Sequence, residues 1–250
     1  MGCKTKIDWC DSTWNPVTGC LHGCEYCYAR SIAHRFSGGS ENQTDDRTIV
    51  LDEKVYGEKQ GKAVPYPYGF IPTFHRYRLN DYTDRKGRNI FVCSMADLFG
   101  SWIADSWIKE VFNACRKAPQ HNYLFLTKNP QRYIDLAEKG ILIHSDNMWY
   151  GSTVTAMEEY FSSEKTYNTF LSIEPMLSSI SPSTVKGVKW VIIGAETGRR
   201  KNKVIPKKEW IERITQDCRR RNIPVFMKSS LAEIWGKPLV QEMPESLKTV

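Results

Sequence analysis

The chain has 250 residues, of which 41% are hydrophobic, 25% charged and 12% aromatic. That is the composition of a folded, enzyme-sized protein and excludes a disordered or collagen-like chain. Its 35 Lys and Arg residues exceed its 28 Asp and Glu residues, for a formal net charge of +7. Part of the excess is local, in Arg199-Arg200-Lys201-Asn202-Lys203, Lys207-Lys208 and Arg219-Arg220-Arg221, which suits either a polyanionic partner or a solvated basic face. There is no run of about 18 apolar residues and no hydrophobic segment behind Met1–Lys6. The expectation is therefore one domain, 1–250, cytoplasmic and with no membrane contact. Lys6 stands where a myristoylation signal starting at Gly2 would need a hydroxyl residue.

In chain order, Trp14 to Thr18 reads as a first strand, followed by a cysteine-rich loop and a helix from Tyr28 to Phe36. Ser37 to Asn89 then interrupts the pattern with Gly38-Gly39-Ser40, a polar run and the aromatic, proline-rich Pro65 to His75. An insertion of this length, 38–89, reads as a substrate-facing segment. Regular alternation resumes with a strand at Ile90 to Ser94 and a helix at Ser106 to Lys117, with Asp105-Ser106 as its cap. A strand at Tyr123 to Thr127 leads to a helix at Pro130 to Lys139, opened by proline and closed by Gly140. A strand at Met148 to Val154, a helix at Glu158 to Tyr167 and strands at Phe170 to Ile173 and Trp190 to Gly194 come next. Lys207 to Arg221 is the last helix and Pro224 to Met227 the last strand.

The strands are near-continuously apolar, as in a parallel sheet buried on both faces. Alternating strands and helices imply an α/β fold with right-handed crossovers, either a barrel or a doubly wound sheet, and both place ligands at the carboxyl ends of the strands. The residues there are polar and diverse: Ser94 and Asp97, Thr127 and Lys128, Thr153 and Thr155, Glu174, Glu196 and Lys228.

Five of the eight cysteines lie in the first 27 residues, a distribution that in a reducing compartment favours a metal or cofactor site over disulfides. Cys20, Cys24 and Cys27 form C-x3-C-x2-C, with Tyr26 just before the last cysteine. Three thiolates so close can each bind one iron of a cubane cluster and leave the fourth iron open. A zinc tetrahedron completed by Cys3, Cys10 or His22 is the alternative, although no second cysteine pair follows downstream.

With C-x3-C-x-aromatic-C satisfied by Cys20, Cys24, Tyr26 and Cys27, the chain resembles the radical S-adenosylmethionine (SAM) enzymes. It is most similar to a phage-associated branch of them through Trp14 to Cys20, Cys27-Tyr28-Ala29, Phe91 to Phe99, Phe125 to Pro130, Leu171 to Pro175 and Ile193 to Gly198. The resemblance implies a partial (β/α)6-type, TIM-like barrel with the insertion after its first βα unit. It also implies a [4Fe-4S] cluster on Cys20, Cys24 and Cys27, the catalytic and metal-binding residues. SAM would bind the open iron, and an electron from the reduced cluster would cleave it to methionine and a 5′-deoxyadenosyl radical that takes hydrogen from a substrate. An external electron donor of flavodoxin or ferredoxin type is implied too, as is a host cytoplasmic location if the chain is phage-encoded.

Set against that pattern, Tyr26 is expected at the cofactor or in packing. Ser94-Met95-Ala96-Asp97 stands where many such enzymes carry Gly-Gly-Glu, leaving Asp97 as an acceptor for the SAM ammonium. Ser94, Thr127, Lys128, Thr153, Glu174 and Glu196 are further cofactor candidates. His75, Arg78 and Lys228 are substrate candidates, Lys228 alternatively pairing with a glutamate. Cys93 reads as a hydrogen-atom donor or, as is usual for a strand cysteine, as packing.

The substrate class suggested is a nucleic-acid base or modified thymidine, with isomerase, lyase or base-modifying chemistry. The alternatives are a nucleic-acid-binding protein with a structural zinc or iron-sulfur site, and a radical SAM enzyme acting on an amino acid or cofactor.

Overall fold

The computed structural model describes residues 5–38, 47–57, 61–156, 160–163, 165–198 and 200–248. In chain order the strands and helices are β1 Ser12–Trp14, β2 Val17–Thr18, α1 Tyr28–Arg35, β3 Ile49–Leu51, β4 Thr73–His75, β5 Asn89–Val92, α2 Asp105–Lys117, β6 Asn122–Thr127, α3 Gln131–Glu138, β7 Met148–Thr153, β8 Asn168–Ile173, β9 Trp190–Ile193, α4 Lys208–Arg220, β10 Val225–Met227, α5 Ala232–Trp235 and α6 Glu245–Lys248. Seven strands form one parallel sheet in the order β1-β5-β6-β7-β8-β9-β10. Each new strand joins the same growing edge, so the fold is mixed α/β with a curled, half-barrel sheet.

Alternation along the strands sorts the core into two layers. Outward-facing Ile90, Val92, Tyr123, Phe125, Met148 and Tyr150 meet α2 and α3, whereas Leu171, Ile173, Val191, Ile193, Val225 and Met227 meet α4. Their partners Phe91, Leu124, Trp149, Phe170, Trp190, Ile192 and Phe226 cluster on the concave side. Trp9 fills that concavity, with its ring centroid 4.7 Å from Phe91 and 6.2 Å from both Phe170 and Trp190. Burying each side chain of this size contributes roughly 1.5–3 kcal/mol.

The N-terminal segment also spans the seam between β1 and β10. The Asp11 amide donates to Asn89 O at 2.9 Å, and the Ser229 amide to Asp8 Oδ2 at 3.0 Å. At the amino ends of the strands, the Asn89 and Asn122 side chains donate to the carbonyls of Leu247 (2.8 Å) and Ser246 (3.1 Å), docking α6 beneath the sheet.

Several sequence expectations change. The single strand expected over Trp14 to Thr18 is split: β1 joins the large sheet and β2 pairs antiparallel with β4 in a three-stranded sheet, β2-β4-β3. Pro16 lies between them, has no N–H for a ladder, and accepts from the His75 amide at 2.7 Å. The insertion is thus not a simple loop, since it supplies β3, β4 and a 3-10 turn at Arg76–Arg78. Of the helix expected at Glu158 to Tyr167, residues 160–163 and 165–167 are not helical, and Phe161 is buried against Tyr133 and Tyr167 instead. Between β8 and β9 the chain makes only a 3-10 turn, Pro182–Val185. Asp105 does not cap α2 but sits in its first turn, with its carboxylate on Arg132 (2.6 Å) and Lys139 (2.9 Å). Among the described residues no helix is long and apolar enough to cross a membrane.

The concave packing leaves no room at Gly151, where a Cβ would lie 2.3 Å from the Phe170 ring. That ring is itself held by Trp9 and Trp190. Gly151→Ala should therefore lower stability by about 1–3 kcal/mol in urea denaturation, and an unchanged midpoint would contradict this packing.

Candidate functional site

A cavity of about 240 Å³ opens at the carboxyl ends of the parallel strands. Ile7, Trp9, Phe91 and Leu126 line it with apolar surface. Cys20, Cys24, Tyr26 and Cys27 enter from the cysteine loop, and Ser94, Asp97, Thr127, Lys128, Thr153, Glu174, Glu196 and Lys228 come from the strand ends. Twelve of the residues singled out in the sequence thus share one cavity.

Backbone contacts hold the cysteine loop. Gly19 has φ +83°, and a Cβ there would meet Ile71 O at 2.3 Å, so the chain can pass between the insertion and β5 only with glycine at this point. Its amide donates to Met95 O at 2.9 Å, and that of Cys20 to Phe70 O at 3.2 Å. α1 begins directly after Cys27.

All three motif thiols are free and half-buried. Burial pushes the Cys20 thiol up to about 12, and the neighbouring Asp97 charge adds to the shift. Among the described residues no group of three or more His, Cys, Asp and Glu side chains is arranged to hold a single metal ion. A cubane takes one thiolate per iron and does not require the sulfurs to converge on a point. Three free thiols on one loop are a donor set that a cluster of that kind could take. Cys3 lies outside the described residues, Cys10 packs against the aromatic floor with its thiol pushed up to about 12 by burial, and His22 is otherwise engaged.

That engagement is with Asp97. The buried carboxylate accepts from His22 Nε2 (2.7 Å), Thr127 Oγ1 (2.8 and 3.0 Å), the Lys128 amide (2.9 Å) and the Phe99 amide (3.0 Å). The Asp97 carboxylate, a candidate acceptor for a cofactor ammonium, is thus filled by the protein's own donors and acts as a positioning residue. Thr127 is likewise committed: it donates to Asp97 and accepts from the Asn129 amide at 2.9 Å. The Trp102 ring packs edge-on against His22, centroids 4.9 Å apart.

Three further contacts ring the cavity. Lys128 Nζ donates to Tyr26 Oη at 2.8 Å, joining β6 to the cysteine loop. Lys228 Nζ donates to Glu174 Oε1 at 2.5 Å, the pairing left open for Lys228 by the sequence. Burial pushes the Glu174 carboxyl up, and Lys228 opposes the shift. Glu196 is held by Arg200 in a fork, Nε to Oε1 at 2.8 Å and Nη2 to Oε2 at 2.7 Å, and this pairing holds its carboxyl below the usual value. Arg200 Nη1 also reaches Glu25 Oε2 on the cysteine loop at 3.2 Å.

Ser94 makes a 3.2 Å contact to Asn15 Oδ1, whereas Thr153 makes no side-chain hydrogen bond among the described residues. Sequence reasoning named His22 only as a zinc ligand and Arg200 only within a basic run, and it missed Glu25 and Ser172. Only the position of Glu25 inside the cysteine motif could have drawn attention to it.

His75 and Arg78 do not line the cavity. His75 is fully buried, bonded to Thr18 Oγ1 (2.8 Å) and Tyr77 Oη (3.2 Å), and burial together with the Arg78 charge pushes it down to about 3. Arg78 donates to the carbonyls of Asn15 (3.1 Å) and Pro65 (2.9 Å), clamping the insertion to the turn between β1 and β2. Cys93 is also buried outside the cavity, its amide donating to Trp14 O at 2.7 Å, which is the packing role.

Removing the Asp97 carboxylate leaves four donors without their acceptor, so Asp97→Ala should cost about 3 kcal/mol or more in urea denaturation and speed amide exchange in residues 20–24. A cost under about 1 kcal/mol would show that the carboxylate does not organise the site. No curated protein and no solved structure matches the chain. A family model described as "Protein of unknown function (DUF5131)" matches residues 4–244, and the chain belongs to that family.

Proposed function

We propose that this chain is a radical SAM enzyme built on a partial (β/α)6-type barrel, with a [4Fe-4S] cluster on Cys20, Cys24 and Cys27. The observation that carries the reading is the convergence of all three motif thiols with the polar strand ends on one cavity above an aromatic floor. Once bound, the cluster would supply the electron that cleaves the sulfonium of SAM, delivered by an external flavodoxin-like or ferredoxin-like donor.

The chain's own residues prepare the site. Cys20 keeps its proton in the cluster-free protein because it is buried, and metal loading releases that proton. Trp9, Phe91 and Leu126 give the cavity an apolar floor that disfavours water, and the Ser229 amide ties the N-terminal segment across the seam through Asp8. Asp97 and Lys128 fix the cysteine loop to β5 and β6 through His22 and Tyr26. Ser94 and Thr153 offer hydroxyls to the cofactor, and the Glu174–Lys228 pair forms the wall offered to the substrate. Flat apolar surface beside a donor and an acceptor suits a nucleic-acid base.

The test is anaerobic reconstitution with iron and sulfide, followed by dithionite and SAM and chromatographic detection of 5′-deoxyadenosine. Product should form in the wild-type chain and disappear in each of Cys20→Ala, Cys24→Ala and Cys27→Ala. It should persist in Cys218→Ala, whose thiol is buried under α4. No product from a cluster-loaded wild type, or normal turnover in any motif variant, would overturn the assignment.

A further inference from the structure

The Arg200 guanidinium pairs with Glu196, which lines the cavity, and its two carboxylate partners stand in unlike environments. The Glu196 side chain is 2% exposed and grips Arg200 in a two-point fork, whereas that of Glu25 is 79% exposed and meets it at a single 3.2 Å contact. A bidentate pair with a buried acid is strong and directional, while a single contact to an acid almost wholly in water is worth little. Glu196 therefore aims the guanidinium, and Glu25 occupies its outer edge replaceably. Lys201 and Lys203 are exposed on the same loop, and Lys203 lies near enough to act on the charge of Glu196. These cations exceed what one exposed carboxylate can match.

We propose that Arg200 is an anion-binding residue at the cavity mouth, that it takes a phosphate group of the substrate, and that Glu25 holds this place until the phosphate arrives. A terminal phosphate brings three acceptor oxygens and roughly twice the charge of a carboxylate, and a nucleic-acid strand presents singly charged phosphodiesters in succession to Arg200, Lys201 and Lys203, so either displaces Glu25. Since Glu25 lies between Cys24 and Tyr26, the exchange also releases one tether of the cysteine loop. The phosphate can belong to a free nucleotide or to a nucleic-acid strand. The inference rests on this cavity being the substrate's site and not on the cluster chemistry.

The test measures binding to the purified full chain and reads no 5′-deoxyadenosine, so its failure is distinct from failure of the radical SAM assignment. The probe is a labelled single-stranded oligodeoxynucleotide followed by anisotropy at low salt, with a nucleoside monophosphate, inorganic phosphate and the unphosphorylated nucleoside as competitors. Arg200→Gln should weaken the phosphate-bearing probes about tenfold, and Arg200→Lys, which keeps the charge but loses the fork, should fall between it and wild type. Glu25→Gln should strengthen binding about threefold or more by removing the internal competitor. The nucleoside should respond to neither substitution. Competition by the monophosphate assigns the site to a free nucleotide, and its failure while the strand binds assigns it to nucleic acid. The proposal is overturned if no phosphate probe binds the wild type, if Arg200→Gln binds them all unchanged, or if Glu25→Gln binds no better than wild type. Because Arg200→Gln leaves the buried Glu196 carboxylate without its fork, a cooperative melting transition above the assay temperature checks that each of the three variants is folded.

Discussion

A single buried carboxylate holds the site together. Asp97, just beyond β5, takes hydrogen bonds from a side chain of the cysteine loop, from the hydroxyl and following amide at the end of β6, and from its own turn. An ionised group out of water costs several kcal/mol unless its acceptor sites are filled. The arrangement is therefore stable only when loop and strands are all in place. Gly19 supports it from the other side: the absence of a side chain lets the loop pass beneath Ile71 to reach Asp97.

The curled parallel sheet separates two kinds of surface along each strand. Deeper positions face a dry aromatic layer centred on Trp9, and the carboxyl-end positions carry the ion pairs and hydroxyls. Low polarity beneath and paired charges around the rim strengthen each electrostatic contact in the cavity. The cysteine loop is tied to three strand ends at once, by His22 to Asp97, Tyr26 to Lys128, and Glu25 through Arg200 to Glu196. The first tie ends on a buried carboxylate and the last on an exposed one, so the loop is anchored firmly at one side and loosely at the other.

Most strands were legible because apolar runs such as Tyr123 to Thr127 and Trp190 to Gly194 are buried on both faces and admit few other readings. The break at Pro16 was not, because it depends on β4, a partner about sixty residues away whose register the sequence does not display. The helix expected at Glu158 to Tyr167 failed because Phe161 is drawn into the aromatic cluster around Tyr133 and Tyr167, and tertiary packing outweighs local spacing.

At the site, the rule that ligands gather at strand carboxyl ends located Asp97, Thr127 and Glu174 but not their occupancy. Whether an acceptor is open or filled depends on donors far along the chain, as His22 and Lys128 are for Asp97. His75 and Arg78 misled for the same reason, since a histidine and an arginine after an aromatic run look like ligand contacts until their partners Thr18, Asn15 and Pro65 are seen.

The central claim is that Cys20, Cys24 and Cys27 hold a cluster with one iron open to SAM in this cavity. Electron paramagnetic resonance of the reconstituted, reduced chain, recorded with and without SAM, tests it most directly. The expected result is a reduced [4Fe-4S] signal whose g-values shift when SAM is added, since the cofactor would then bind the open iron. A signal indifferent to SAM, or a chain that takes up zinc and assembles no cluster, would contradict it.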